Sequence, residues 1–256
     1  MNNFKSVMKL QLIAYFFLLS IILISCKSAE KFESRDPEAV FNKAVEMFNR
    51  EEYLEARNFF EMIKLQYSAT EWADDAQYYL GEIAYKRKEF VLAAFNYNQL
   101  RRSYPGSIYA KTSLYKTALS FYELSPKFDR DQEYTKKAIQ AFQEFQYIYP
   151  DDSLSPEAGK KISELRNKLA YRDFFTAGLY RKLDSPHSAL IYYNSVIKDY
   201  NDTEYYEPSF LGKVQVLVEM EKFDDAKSTI QLYKKNFPSG KYLKEIAELE
   251  RSIFIK

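Results

Sequence analysis

Cysteine and histidine are the side chains most often used to attack, to shuttle protons or to hold metals. This sequence has one of each, Cys26 and His187. A single cysteine closes no internal disulfide, and one cysteine with one histidine falls short of a zinc site. His187 lies in Ser185-Pro186-His187-Ser188-Ala189, at a predicted helix start. Catalysis there would need a nucleophile within hydrogen-bond reach and a third group to orient the base. No motif supplies either, so His187 reads as a first-turn surface residue. No glycine-rich phosphate loop is present, and the pairs Lys136-Lys137, Lys160-Lys161 and Lys234-Lys235 sit among acids as solvated helix faces. The chemistry that remains is recognition. Aromatic residues make up 17% of the chain, with 23 Tyr and 20 Phe. Tyr78, Tyr85, Tyr97 and Tyr115 fall in one stretch with Arg101 and Arg102. Tyrosine suits partly wet contacts, so these four rings are candidates for a groove that accepts an extended peptide. Arg101 and Arg102 would hold a terminal carboxylate. The competing reading of any one ring is packing between helices.

Composition narrows the elements that position these residues. With 46% hydrophobic and 29% charged residues, the chain has material for a core and a soluble surface. Only 6 Gly and 8 Pro argue against a turn-rich sandwich or barrel. The formal charge is +1, and removing residues 1–25, which carry Lys5 and Lys9 and no acid, brings it to −1. Neither value suggests a nucleic-acid binder.

The N-terminus explains the cysteine. Lys5 and Lys9 precede an apolar run over residues 10–24, followed by Ser25 and Cys26. A short basic stretch, an apolar run of this length and a small residue form a secretory signal over residues 1–25. The run is short for a membrane span, although an uncleaved anchor helix is the alternative. Leu23-Ile24-Ser25-Cys26 resembles the bacterial lipobox. That resemblance implies diacylglycerol on the Cys26 thiol and an acyl chain on its new amino group, a covalent lipid and no other cofactor. Each buried CH₂ contributes about 0.8 kcal/mol, so several chains anchor firmly. Lys27, where the usual sorting rule has Asp for inner-membrane retention, implies the outer membrane. Residues 27–36 are polar and read, with Cys26, as a tether.

The rest of the chain repeats one pattern. A small residue is followed twelve positions later by alanine, then by large residues four and three further on, and often by proline five beyond. The copies run Ala44, Ala56, Phe60, Ile63; Gly81, Ala93, Tyr97, Leu100, Pro105; Ala118, Ala138, Phe142, Phe145, Pro150; Ala177, Ala189, Tyr193, Val196; and Ala226, Ile230, Tyr233, Pro238, where Val214 replaces the first small residue. Steps of three and four keep the large side chains on one helical face. The small residues let paired helices approach where they cross, and the proline stops the second helix. This is tetratricopeptide spacing. It predicts an all-α solenoid of about five helix hairpins, with N-terminal repeats over 37–150 and C-terminal repeats over 151–256. The third copy carries about eight extra residues within 123–132, and residues 156–182 read as one long helix from Pro156.

A lipobox, five such repeats, the Asp129-Arg130-Asp131-Gln132 insert and the long helix carrying Leu165-Arg166-Asn167-Lys168-Leu169-Ala170-Tyr171 together resemble the BamD family. These are lipoproteins of the outer-membrane β-barrel assembly machine. The resemblance implies a non-enzymatic subunit, lipid-anchored in the outer membrane with its repeats in the periplasm. It would bind a BamA-like barrel protein through its C-terminal repeats and unfolded outer-membrane proteins through its N-terminal repeats. A terminal aromatic residue with its carboxylate is the signal such a strand would offer the tyrosine groove. The alternative is a periplasmic lipoprotein that scaffolds cell-envelope or peptidoglycan-associated proteins.

Overall fold

The structure, a computed structural model, describes residues 35–255. The signal segment 1–25, Cys26 and most of the tether lie outside the described residues. Five hairpins follow one another: α1 (Pro37–Asn49) with α2 (Tyr53–Gln66), α3 (Trp72–Lys86) with α4 (Phe90–Ser103), α5 (Ala110–Leu124) with α6 (Glu133–Ile148), α7 (Ser155–Lys182) with α8 (Pro186–Asp199), and α9 (Tyr206–Glu219) with α10 (Phe223–Asn236). A last helix, α11 (Leu243–Ile255), packs on the fifth hairpin. Each helix contacts chiefly its neighbours in sequence, which makes the array quasi-one-dimensional. Among the described residues every regular element is a helix, and none is long and apolar enough to cross a membrane.

Two turns generate the array. Within four hairpins the first helix ends on a residue in the left-handed region: Glu51 (φ 61°), Lys88 (φ 61°), Asp184 (φ 54°) and Glu221 (φ 57°). The next N–H in each reaches back five residues, as from Glu89 to the Ala84 carbonyl at 2.8 Å and from Lys222 to that of Leu217 at 2.9 Å. This is the Schellman closure of a helix C-terminus. Between hairpins, all five second helices stop on an aromatic residue, Tyr67, Tyr104, Tyr149, Tyr200 or Phe237, at φ between −125° and −132°. Each of these caps then accepts, on its carbonyl, the N–H three residues on (Thr70, Ser107, Asp152, Thr203, Gly240). Proline follows only three of the caps, so it reinforces the stop and does not create it.

The core is a string of clusters between these turns. Ala44, Ala56, Ala93, Ala118, Ala138, Ala177, Ala189 and Ala226 are fully buried, and Gly81 is buried with them. At the fifth hairpin Val214 is also buried, and two residues earlier Gly212 makes a close approach to the preceding hairpin. An ideal Cβ on Gly212 would stand 2.5 Å from Tyr193 Cε1. Helix α7 spans 28 residues, about 42 Å. Its Ala158, Ile162, Leu165 and Leu169 complete the core of the third hairpin, while Ala177 begins that of the fourth. The boundary expected at 150/151 falls in the turn before α7.

The extra residues of the third hairpin form a closed loop over 125–132, with Glu123 and Leu124 still helical. Gln132, 2% exposed, donates from Nε2 to the carbonyls of Lys127 (2.7 Å) and Arg130 (2.9 Å), and its Oε1 accepts from Thr135 Oγ1 at 2.7 Å. Phe128 turns onto α7, edge-on to Tyr171 (4.6 Å between centroids) and Phe175 (5.3 Å). Lys168 Nζ donates to Ser125 Oγ at 2.9 Å.

Candidate functional site

The tyrosines of the second and third hairpins do meet, but they form a network more than an open groove. Helix α3 aligns Asp75, Tyr78, Glu82 and Tyr85 at steps of three and four, on one face. Tyr78 stacks on Tyr109, which leads into α5 (4.2 Å, 13°), and Tyr109 bonds to the Asp75 carboxylate. Glu82 is the hub. It accepts from Tyr97 Oη at 2.6 Å and from Lys116 Nζ at 2.7 Å, and Lys116 also stands 5.7 Å from the Tyr85 ring centre. Burial, followed by the charge of Glu82, pushes the Tyr97 and Tyr78 phenols far above the ordinary tyrosine range. Burial and the Asp75 bond push Tyr109 up to about 12. The cluster therefore offers aromatic faces around an anion already satisfied from two sides.

Four expected groove residues are relocated by this geometry. Tyr97 is fully buried and lies against Gly81, so it is core with only its hydroxyl reaching the network. Tyr115 is 5% exposed, edge-on to Phe142 (5.7 Å) and Phe145 (5.1 Å), and is likewise core. Tyr97 is held there because Gly81 opposite leaves room for one large ring, and Tyr115 because its ring fills the space beside two others. Arg101 pairs with Glu144 and donates to Asn98 Oδ1 at 3.3 Å. It lines a 220 Å³ cavity with Thr117, Phe121, Lys137 and Gln140, where none of the four tyrosines reaches. Arg102 is exposed on the last turn of α4. The arginines thus do not close the end of a tyrosine groove, and only Tyr78 and Tyr85 keep part of their rings at the surface. His187 sits in the first turn of α8. Among the described residues no group of three or more His, Cys, Asp or Glu is placed to hold a metal.

Sequence reasoning missed Glu82, which carries no motif. Its signal was its place one residue after Gly81, on the face that the first helix of each hairpin leaves uncovered. The same face is stitched from hairpin to hairpin. Tyr122 Oη donates to Glu164 at 2.8 Å, Arg166 grips Asp202 with Nε (2.7 Å) and Nη2 (2.6 Å), and Arg181 Nε reaches Glu219 at 3.0 Å.

Small residues at most crossings, left-handed turns inside four of the five hairpins and aromatic caps between them define a tetratricopeptide-repeat solenoid. Residues 33–232 match the family model YfiO, described as an outer membrane lipoprotein. The chain belongs to that family. It is similar to the putative outer membrane protein assembly factor BamD of Aquifex aeolicus (29% identity, covering 81% of this chain and 72% of the relative). It is also similar to the outer membrane protein assembly factors BamD of Rickettsia prowazekii (22%, covering 91% and 93%) and Caulobacter vibrioides (21%, covering 82% and 69%). A solved thermophilic tetratricopeptide protein of Thermus thermophilus aligns over 86% of this chain and all of its own at 13% identity, with a TM-score of 0.36. The fold assignment rests on the hairpin geometry.

Proposed function

We propose that this chain is an outer-membrane protein assembly factor, a lipid-anchored periplasmic subunit of a β-barrel assembly machine. It holds a BamA-like barrel protein and receives unfolded outer-membrane proteins, and it acts by binding and not by catalysis. The observation that carries the reading is the family match over 33–232 together with relatives that bear the assembly-factor name across most of their length. Physical support comes from the repeat face, because a solenoid presents an extended surface built for protein ligands. The anchor is Cys26, carrying diacylglycerol and an N-acyl chain, and Pro37 at the start of α1 lies eleven residues beyond it. At about 3.3–3.6 Å per residue, the start of α1 stays within about 40 Å of the lipid.

The test is affinity capture of the tagged full-length chain from detergent-solubilised outer membranes. Recovery of a BamA-like barrel protein, with unfolded outer-membrane proteins trapped by crosslinking, is the expected result. Recovery of peptidoglycan-binding proteins without a barrel protein would replace this reading with that of an envelope scaffold.

A further inference from the structure

Gly178 stands inside the 28-residue helix α7, where glycine costs about 1 kcal/mol relative to alanine. Packing does not explain it, since a Cβ there would meet nothing within 4 Å. The residue follows the buried crossing residue Ala177, and the positions that correspond in the other hairpins are Val45, Glu82, Leu119 and Gln215. Each of those carries a side chain at this position, and the fourth hairpin carries none. Glycine is one residue that lets a ligand come close to the backbone.

The surroundings state what that ligand is. On one side Gly178 floors a cavity of 210 Å³ whose walls include Tyr171, Phe174, Phe175 and Leu179. On the other it opens into a space of 450 Å³ lined by Arg181, Lys182, Asp184 and Glu219. Tyr193 and Lys182 belong to both. Arg181 is already paired with Glu219, and it donates to the Gln215 amide oxygen. Lys182 borders both spaces, and among the described residues it forms no ion pair, although Asp184 and Glu219 line the second space with it. Phe175 and Leu179, about half exposed at 48% and 46%, lie one turn apart on the same row. The head of that row is already occupied. Phe128 of the 125–132 loop seats its ring on Tyr171 and Phe175, and Asp129 follows it in sequence. The chain thus carries on this row a sample of what the row accepts, an aromatic side chain delivered by irregular backbone.

We propose that the Gly178 groove is a peptide site on the fourth hairpin. Its occupant is an extended segment of a partner protein that places an aromatic side chain in the Tyr171–Phe174–Phe175 cavity and a nearby carboxylate on Lys182. The backbone of the segment passes over Gly178, and the segment continues the contact that Phe128 begins. The site does not depend on which protein the chain holds at the membrane, so peptide binding and affinity capture can fail separately.

The experiment titrates the full chain, in detergent, into a fluorescein-labelled peptide copying residues 123–132, followed by anisotropy. Control peptides replace its Phe by Ala or both Asp by Asn. Saturable binding is expected, weakened tenfold or more by either control peptide, by Gly178→Leu, which fills the groove, and by Lys182→Gln. Gly178→Ala reports on folding, because it removes a helical glycine into open space and should melt no lower than the parent. Absence of saturable binding up to millimolar chain overturns the proposal. So does equal binding of all three peptides, or unchanged affinity in both Gly178→Leu and Lys182→Gln.

Discussion

Tyr97 lies across Gly81, with its Cε1 and Cδ1 only 2.6 and 2.7 Å from the place a Cβ would take, while its hydroxyl donates to Glu82, the next residue. The ring is fully buried and is pinned at both ends, so it cannot swing aside. Gly81→Ala should therefore destabilise the chain by about 1–3 kcal/mol through overpacking. Thermal melting should fall by about 2–4 °C for each kcal/mol. Combining it with Tyr97→Leu should cost less than the sum of the two changes, because the second removes the obstacle to the first. Additive losses in that double-mutant cycle would show that the two residues do not meet.

The left-handed turns inside the hairpins give the opposite sign. Lys88 and Glu221 are exposed and hold φ near 60° without being glycine, a conformation that costs a residue with a Cβ about 1–2 kcal/mol. Lys88→Gly and Glu221→Gly lose part of that gain to the greater freedom of glycine in the unfolded chain. Each should still raise stability by up to about 1 kcal/mol in urea titration. Asp184→Gly should gain less, since aspartate tolerates the left-handed region better than lysine or glutamate. A loss of stability in both Lys88→Gly and Glu221→Gly would contradict these turns.

These two results mark what was legible in the sequence. The alanine spacings carried the hairpins and their order, and Ile162, Leu165 and Leu169 carried the long helix, because both rest on periodicity of apolar contact. The left-handed turns were invisible, since nothing in Glu51 or Lys88 announces a conformation that glycine normally signals. The aromatic caps were legible and passed over, although Tyr67, Tyr104, Tyr149, Tyr200 and Phe237 each stand just before the proline position. Of the candidate site, Tyr97 was misplaced for a reason already in the pattern. It occupies the fourth position after Ala93, which every other copy fills with a core residue such as Phe60 or Phe142. Arg101 and Arg102 were adjacent in sequence to that ring, but they sit on the second helix, away from the α3 face. Gly178 gave no sign at all, because whether a glycine meets open space depends on tertiary packing.

The tyrosine network has a consequence at high pH. Tyr109, Tyr122 and Tyr233 are each pushed up to about 12, first by burial and then by their bonds to Asp75, Glu164 and Glu207. In the unfolded chain they titrate near 10. The fold therefore favours the neutral phenols. Their contribution to stability is fully present below about pH 10 and is lost as pH rises from there through about 12. Melting temperature should stay flat up to about pH 10 and then fall. Phenolate absorbance should show a group of tyrosines that ionise only with unfolding. If all 23 tyrosines ionise in one step near pH 10 while helicity is retained, the network is not closed to solvent in the way the hydrogen bonds require.

Cys26→Ala tests the proposed lipid anchor apart from the array. The repeats start at Pro37, eleven residues beyond the cysteine in sequence. The variant should melt like the parent once the signal segment is removed, and in cells it should leave the outer-membrane fraction and lose its mobility shift for acylation. Normal processing and full retention in the membrane, in cells lacking the assembly partners, would exclude the lipid anchor.

Gln132 holds the 125–132 loop by a donor, and its replacement should show this directly. Its amide donates to two loop carbonyls from a buried position, so Gln132→Ala leaves the carbonyls of Lys127 and Arg130 and the Thr135 hydroxyl without it. Loss of buried hydrogen bonds of this kind costs about 1–3 kcal/mol. Gln132→Glu keeps the length and the acceptor for Thr135 but turns the donor into an oxygen that faces two carbonyls. If donation is what closes the loop, Gln132→Glu should be no better than Gln132→Ala. Hydrogen exchange at 125–132 should then accelerate in both variants, while the first two hairpins, with their separate core, keep their protection. Phe128→Ala should give a different signature, because it leaves the loop closed and frees Tyr171 and Phe175 on α7. Unchanged exchange in Gln132→Glu would mean that the ring contacts of Phe128 alone hold the loop on the long helix.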